Sequence, residues 1–354
     1  MSIIRLHSTA ELLALPEPEW LITEHIHCEE TVALWGAPNM GKTFISLDMA
    51  LSVASGLPWL DTFPVKQCPV VYMAGEGGAS LKKRVEAWMV AKGVSEIPGA
   101  YWQLRSIPFR DEDVVDEVQL ALEEYQDHLD FPSHEPGLNA GLIVIDTLSQ
   151  FFSGGDENGP DMAQFVGNIR RLSQEAGVAA LVVHHGNAGG QRERGHSALR
   201  GNVDVMFQVE GFKKDGRLLG MSLLNDKQRD NPAAPKLYFD VVPVKDGLVI
   251  RASDPKKVEE AQETVSLTDP GLIELLRAFE LTEQSKTETA AHEDLMEQAG
   301  LKRQRLHERL ATLKKLGLIA PAGRGKSALT LRGRDTIATA MKQQKSKRYG
   351  AGEE

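Results

Sequence analysis

Eight consecutive residues, Gly36-Ala37-Pro38-Asn39-Met40-Gly41-Lys42-Thr43, carry the spacing G-x-x-x-x-G-K-T. Gly36 and Gly41 let the backbone curl until several N–H groups face phosphate oxygens. A helix starting there would add the partial positive charge of its N-terminus. Lys42 has the charge and reach for the β- and γ-phosphates of a nucleotide, and the Thr43 hydroxyl is a hard oxygen ligand for Mg2+. ATP and Mg2+ are the expected cofactors, held by residues 36–43 with Phe44 in the first helical turn. The flanks agree. The run Thr31-Val32-Ala33-Leu34-Trp35 reads as a strand. Phe44, Leu47, Met49-Ala50-Leu51 and Val53-Ala54 recur at helical spacing as far as Gly56.

Three further positions could act on a terminal phosphate. Val70 to Ala74 is an apolar strand that runs into Gly75-Glu76-Gly77-Gly78. A carboxylate at such a strand tip can polarise water, so Glu76 is the candidate general base. Leu142-Ile143-Val144-Ile145 ends in Asp146, placed to bind Mg2+ opposite Thr43. The strand Ala179 to Val183 ends in His184-His185. Either histidine could sense a γ-phosphate, or be a packed core or metal-bound residue. His25, His27 and Cys28 lack a fourth ligand at matching spacing, so no zinc site is expected there.

The elements around these residues alternate strand and helix. A brief helix at Leu12–Leu15 stops at Pro16, and Trp20-Leu21-Ile22 is expected to pack on the core. Helices are expected over 81–90, 111–129 and from Asp161 to Ala176, and a strand from Tyr101 to Phe109. Glycine-rich loops are expected at Phe151–Pro160 and Gly186–Arg194. Val205–Val209 and Leu218–Leu223 read as a hairpin, with later strands at 237–242 and 248–251. That pattern implies an α/β fold, a mostly parallel sheet with an antiparallel extension.

The chain of 354 residues has 42% hydrophobic content, enough for one large and one small domain. The boundaries expected are a lead-in at 1–30, an ATPase domain at 31–255, a linker at 256–268, a small domain at 269–341 and a disordered tail at 342–354. No apolar run approaches the roughly 18 residues of a membrane helix. No secretory signal is evident at the start, and Cys28 and Cys68 are the only cysteines, so a reducing cytoplasm is expected. The net charge of −10 is unevenly spread. Residues 266–354 hold 16 Lys and Arg against 12 Asp and Glu, leaving the preceding part with 24 against 38.

The pieces GAPNMGKT, AGEGG, VIDTLSQFF, ENGPDMAQFVGNIRRL and VVHHG, in that order, resemble the RecA-like hexameric helicase group. The likeness is greatest to plasmid RepA-type replicative helicases and spans about residues 20–250. It implies a RecA-like P-loop core, ATP hydrolysis, a homohexamer and single-stranded DNA in the central hole. By that resemblance Glu76 activates water, Asp146 completes the metal site and His184-His185 sense the γ-phosphate. Asn225-Asp226-Lys227-Gln228-Arg229 is similar to a segment that projects a Lys and an Arg into the neighbouring subunit's site. Lys227 and Arg229 are thus candidate fingers acting in trans. RepA-type proteins carry an arginine near the position of Asp204, whereas here Arg200 stands a helical turn earlier. Which of Arg200, Lys227 and Arg229 completes the site stays open. The loops after Asp146 and the histidines would line the hole, Arg192 and Arg194 meeting phosphate.

In the C-terminal part, helices are expected at 270–280, 292–297 and 302–316, then a hairpin around Gly323-Arg324-Gly325-Lys326. That order resembles a winged helix, with Lys302, Arg303 and Arg305 on a recognition helix and Arg324 and Lys326 on the wing. It could hold duplex DNA or dock on replication proteins. Two functions are compatible with the whole: a DNA helicase or translocase of plasmid or phage replication, or an ATP-dependent DNA-binding regulator or loader without unwinding.

Overall fold

The computed structural model describes residues 6–75, 78–111, 113–126, 141–152, 154–157, 159–186, 196–214, 217–254, 270–285, 290–323, 325–330, 333–334 and 336–337. Glu76, Arg192, Arg194, Arg324, the 256–268 linker and the 342–354 tail lie outside the described residues. The chain divides into two compact units: Met1–Gly211 with Leu218–Ser253, and Phe212–Arg217 with Asp254–Glu354.

The larger unit is built on a mixed, mostly parallel sheet. A capped turn of helix, α1 (Thr9–Leu13), precedes a small hairpin of β1 (Trp20–Ile22) and β2 (Ile26–His27). The main elements then follow as β3 (Thr31–Gly36), α2 (Lys42–Ser55), β4 (Val70–Ala74), α3 (Gly78–Lys92), β5 (Ala100–Gln103) and α4 (Val114–Gln126). Next come β6 (Leu142–Asp146), α5 (Leu148–Phe152), α6 (Pro160–Ala176), β7 (Ala179–His185) and α7 (His196–Asn202). Four long strands end the unit: β8 (Val205–Lys214), β9 (Arg217–Gln228), β10 (Leu237–Val244) and β11 (Gly247–Ala252). Their order across the sheet is β11-β10-β9-β8-β3-β7-β6-β4-β5. The pairs β8–β3, β3–β7, β7–β6, β6–β4 and β4–β5 are parallel, while β9–β10 and β10–β11 are antiparallel. Apolar β-branched runs such as Leu142–Ile145 are what a strand covered on both faces requires.

Alternation along the strands separates two cores. Val32, Leu34, Tyr72, Val144, Leu181 and Val183 pack on the side of α2 and α3. Ala33, Trp35, Ile143, Ile145, Ala180 and Val182 pack with α4, α5 and α6. Leu21 and Ile22 of β1 join the first core, so the lead-in is part of the domain's packing.

Several elements differ from the sequence reading. Only Ala100–Gln103 of the expected strand over 101–109 forms, and Leu104 is exposed. Phe151 and Phe152 belong to α5 rather than a loop. They are buried, with rings packed against those of Phe109 and Phe165, which outweighs leaving them in solvent. Helix α6 starts at Pro160, one residue before the expected start, and Asp161 lies inside its first turn. The β8–β9 pair is longer than the hairpin expected, and Asn225 to Gln228 lie within β9.

The smaller unit contains α8 (Pro270–Ser285), β12 (Ala290–Ala291), α9 (His292–Gln298), α10 (Arg303–Lys315), β13 (Ile319–Pro321) and β14 (Lys326–Leu329). The strands form an antiparallel sheet in the order β12-β14-β13. Leu275, Phe279, Leu295, Leu306, Leu310 and Leu313 make its core. The 3.6-residue period puts Leu306, Leu310 and Leu313 of α10 inside and leaves Lys302, Arg303, Arg305 and Lys314 exposed.

Candidate active site

The loop between β3 and α2 is shaped by glycine where the backbone demands it. Gly41 stands at φ +93°, directly before Lys42. A Cβ there would run into Met221 Sδ of β9, and a Cβ on Gly36 would run into the Val209 carbonyl. Gly211 of β8 lets the Met40 backbone approach, since its Cβ would lie 3.0 Å from Met40 Cα. The loop is thus backed by β8 and β9, and Gly36 and Gly41 tolerate no side chain. Phe44 in the first turn of α2 lies under the Arg84 guanidinium, 4.7 Å from the ring centre.

Lys42 is buried at 4% exposure. Its ammonium donates to the Gly36 carbonyl at 3.0 Å and the Ala37 carbonyl at 2.9 Å, and meets His185 Nδ1 at 3.1 Å. That meeting follows from register: Gly36 pairs with His185, and the Gly186 N–H donates to the Gly36 carbonyl at 2.9 Å. An Nδ1 facing an ammonium must be unprotonated, with the ring proton on Nε2. The two histidines part company here. His185 follows Leu181 and Val183 on the α2 side, whereas His184, 1% exposed, follows Ala180 and Val182 on the opposite side.

Asp146 ends β6 in register with Ala74 of β4 and Val183 of β7. The Gly75 N–H donates to its carbonyl at 2.8 Å, so the chain leaving β4 toward Glu76 is tied to β6. The parity of β6 puts the Asp146 side chain on the α2 face, where it is 6% exposed. Its Oδ2 accepts from the Tyr72 hydroxyl at 2.6 Å, and that hydroxyl lies 2.9 Å from Ser46 Oγ of α2. The phosphate loop, Asp146, the approach to Glu76 and His185 therefore gather at one end of the parallel strands, the crevice where such sheets bind ligands. A carboxylate and a hydroxyl are the oxygen donors Mg2+ prefers, and a loop bounded by Gly36 and Gly41 with a helix N-terminus behind it suits phosphate. These residues fit Mg2+ and a nucleotide. Asp48, two residues after Ser46 on α2, is also buried; Trp88 Nε1–H donates to it at 2.7 Å, and burial pushes its carboxyl up to about 7.

The family model for an AAA domain matches residues 7–191, just over half of the chain. The chain belongs to that family. None of the curated proteins compared with it matches. Membership makes this AAA protein a P-loop ATPase, a family that binds nucleotide. Among the described residues no helix is long and apolar enough to cross a membrane.

The three candidate fingers of this AAA protein lie elsewhere. Asp204 donates its backbone N–H to the Thr31 carbonyl at the start of β3, and its Oδ2 accepts from the Thr31 N–H at 2.9 Å. Asp204 also pairs with Arg229. Arg200 of α7 donates to Asp226 Oδ2 at 2.6 Å, and Lys227 donates to the carbonyls of Arg200 at 2.7 Å and Val203 at 2.6 Å. The whole cluster sits at the N-terminal end of β3, about 17 Å along the strand from Gly36 at ~3.3 Å per residue. Arg200, Lys227 and Arg229 come together with one another, not with this chain's own phosphate loop.

Two residues behind the site carried no clear signal in the sequence. Met221 is an ordinary strand residue. Gly211 could have been suspected, since an isolated glycine inside a strand often marks close backbone approach. The lead-in histidines are structural: His27 stacks on Trp20 and meets Glu30 at 3.1 Å, and His25 packs edge-on to Trp59 and Phe63.

Proposed function

We propose that this ATPase is a translocase on single-stranded DNA, a homohexameric RepA-type helicase of plasmid or phage replication. The observation that carries the reading is the position of the finger cluster. Arg200, Lys227 and Arg229 sit at the far end of β3 from the phosphate loop, so a finger reaching a nucleotide must reach a neighbour's. Turnover then depends on assembly. Glu76 accepts the proton of the attacking water, and Lys42 holds the terminal phosphate as its ammonium leaves the loop carbonyls. His185, beside that ammonium, registers the change and passes it to the segment after β7, which carries Arg192 and Arg194. Mg2+ held by Thr43 and Asp146 would neutralise charge on the β- and γ-phosphates. An acidic body with a basic hole reconciles the net charge with DNA binding.

The order of helices and strands in the smaller unit supports a winged helix, with α10 as the recognition helix. Its exposed Lys302, Arg303 and Arg305, with Lys326 near the wing, also favour the second reading: an ATP-switched, duplex-binding regulator or loader. Strand displacement separates the two. The helicase reading expects ATP-dependent release of a strand from a forked duplex, lost in Lys42→Ala. Tight ATP-switched duplex binding with no displacement would favour the regulator.

A further inference from the structure

Tyr72 takes no part in the chemistry of phosphate transfer, yet it touches Asp146 of the proposed metal site and, at Ser46, the helix turn that carries Thr43. It stands in the middle of β4, with a side chain 1% exposed on the α2 face. Its hydroxyl is 2.6 Å from Asp146 Oδ2 and 2.9 Å from Ser46 Oγ. A phenol has one proton. The short approach to a carboxylate, which can only accept while ionised, takes that proton, so the phenol oxygen accepts from Ser46. The 2.9 Å separation is also shorter than the 3.3 Å from Ser46 Oγ to the Thr43 carbonyl. The chain therefore runs Ser46 to Tyr72 to Asp146, every step in a water-excluded layer. Ser46 lies three residues after Thr43, on the same face of the same helix.

We propose that Tyr72 is a positioning residue for the metal site: its hydroxyl fixes the rotation of the Asp146 carboxylate and, through Ser46, locks it to the helix turn that bears Thr43. The role rests on the reading of Thr43 and Asp146 as the Mg2+ ligands. Preorganisation is the physical content. A carboxylate free to rotate must be ordered when the ion binds, whereas one already held by a charge-assisted hydrogen bond need not be.

The test is nucleotide affinity, measured with a fluorescent ADP analogue on the full-length protein, across a Mg2+ titration and in EDTA. Tyr72→Phe keeps the ring and removes only the hydroxyl. Its expected signature is an EDTA affinity within about twofold of the unsubstituted protein and a half-saturating Mg2+ concentration raised about 10-fold, the effect of losing a hydrogen bond to a charged group. Ser46→Ala should move the Mg2+ midpoint the same way by a smaller factor, and it tests the chain should Tyr72→Phe fold poorly. In an Asp146→Asn background, Tyr72→Phe should add little, because the group it positions is gone. An unchanged Mg2+ midpoint in a folded Tyr72→Phe protein, or an effect that adds in full to Asp146→Asn, would overturn the role while leaving the ATPase reading intact. No Mg2+ dependence in the unsubstituted protein would overturn both.

Discussion

At the scale of single residues, the phosphate loop and Asp146 were legible because their chemistry demands fixed residue types at fixed spacing. The two histidines were not separable, since a strand tip in sequence has no faces. Only the pairing of Gly36 with His185 shows which one meets Lys42. Lys42→Ala should abolish nearly all turnover, as release of phosphate in an ATPase assay would show. Asp48 was invisible as sequence, an acid in an apolar helical pattern. Its folded carboxyl stands at about 7, above the ordinary value of 3.8, so folding takes up a proton and stability falls as pH rises between those values. Asp48→Asn can still accept from Trp88 and carries no such charge. We expect it to melt several degrees higher than the unsubstituted protein at pH 8 and to lose more than half of that advantage at pH 5, as thermal denaturation would read.

Elements were easiest where one period ran long. Helix α2, helix α6 and the β6 and β7 strands follow from apolar spacing alone. Loops that hide aromatics misled: Phe151 and Phe152 sit in a glycine- and acid-rich stretch, and only three-dimensional neighbours make them core. Long β8 and β9 were truncated by the sequence reading because polar residues break their alternation. The glycines that back the phosphate loop belong to this scale. Gly41→Ala combines left-handed backbone, about 1–2 kcal/mol, with a clash against Met221, and should weaken nucleotide binding and lower the melting temperature together. On α10, Arg303→Glu with Arg305→Glu alters only exposed side chains. If that face holds duplex DNA, the slope of log affinity against log salt should shrink by about 1 for each phosphate left without its arginine, with stability unchanged.

At the scale of the whole molecule, the charge asymmetry and the change of element pattern near residue 255 marked a small basic unit after a large acidic one. The sequence could not tell which end of the sheet holds Arg200, Lys227 and Arg229, because their place depends on β9 running back beside β8. If they act as the proposed fingers, their position would make catalysis a property of the assembly. Arg229→Ala and Glu76→Gln proteins should each be nearly inactive alone. Mixed, they should recover part of the rate, because hybrid interfaces join an intact Glu76 to an intact Arg229. Steady-state hydrolysis at several mixing ratios reads this, and a strictly additive rate would argue against Arg229 acting in trans.

The most direct measurement is the ATP hydrolysis rate of the full-length protein in Mg2+, with and without single-stranded DNA, alongside the mass of the assembly in each mixture. A ring-shaped translocase should run as a multimer whose Lys42-dependent rate rises severalfold with DNA. A protein that stays monomeric and hydrolyses ATP at the same rate with or without DNA would contradict that function.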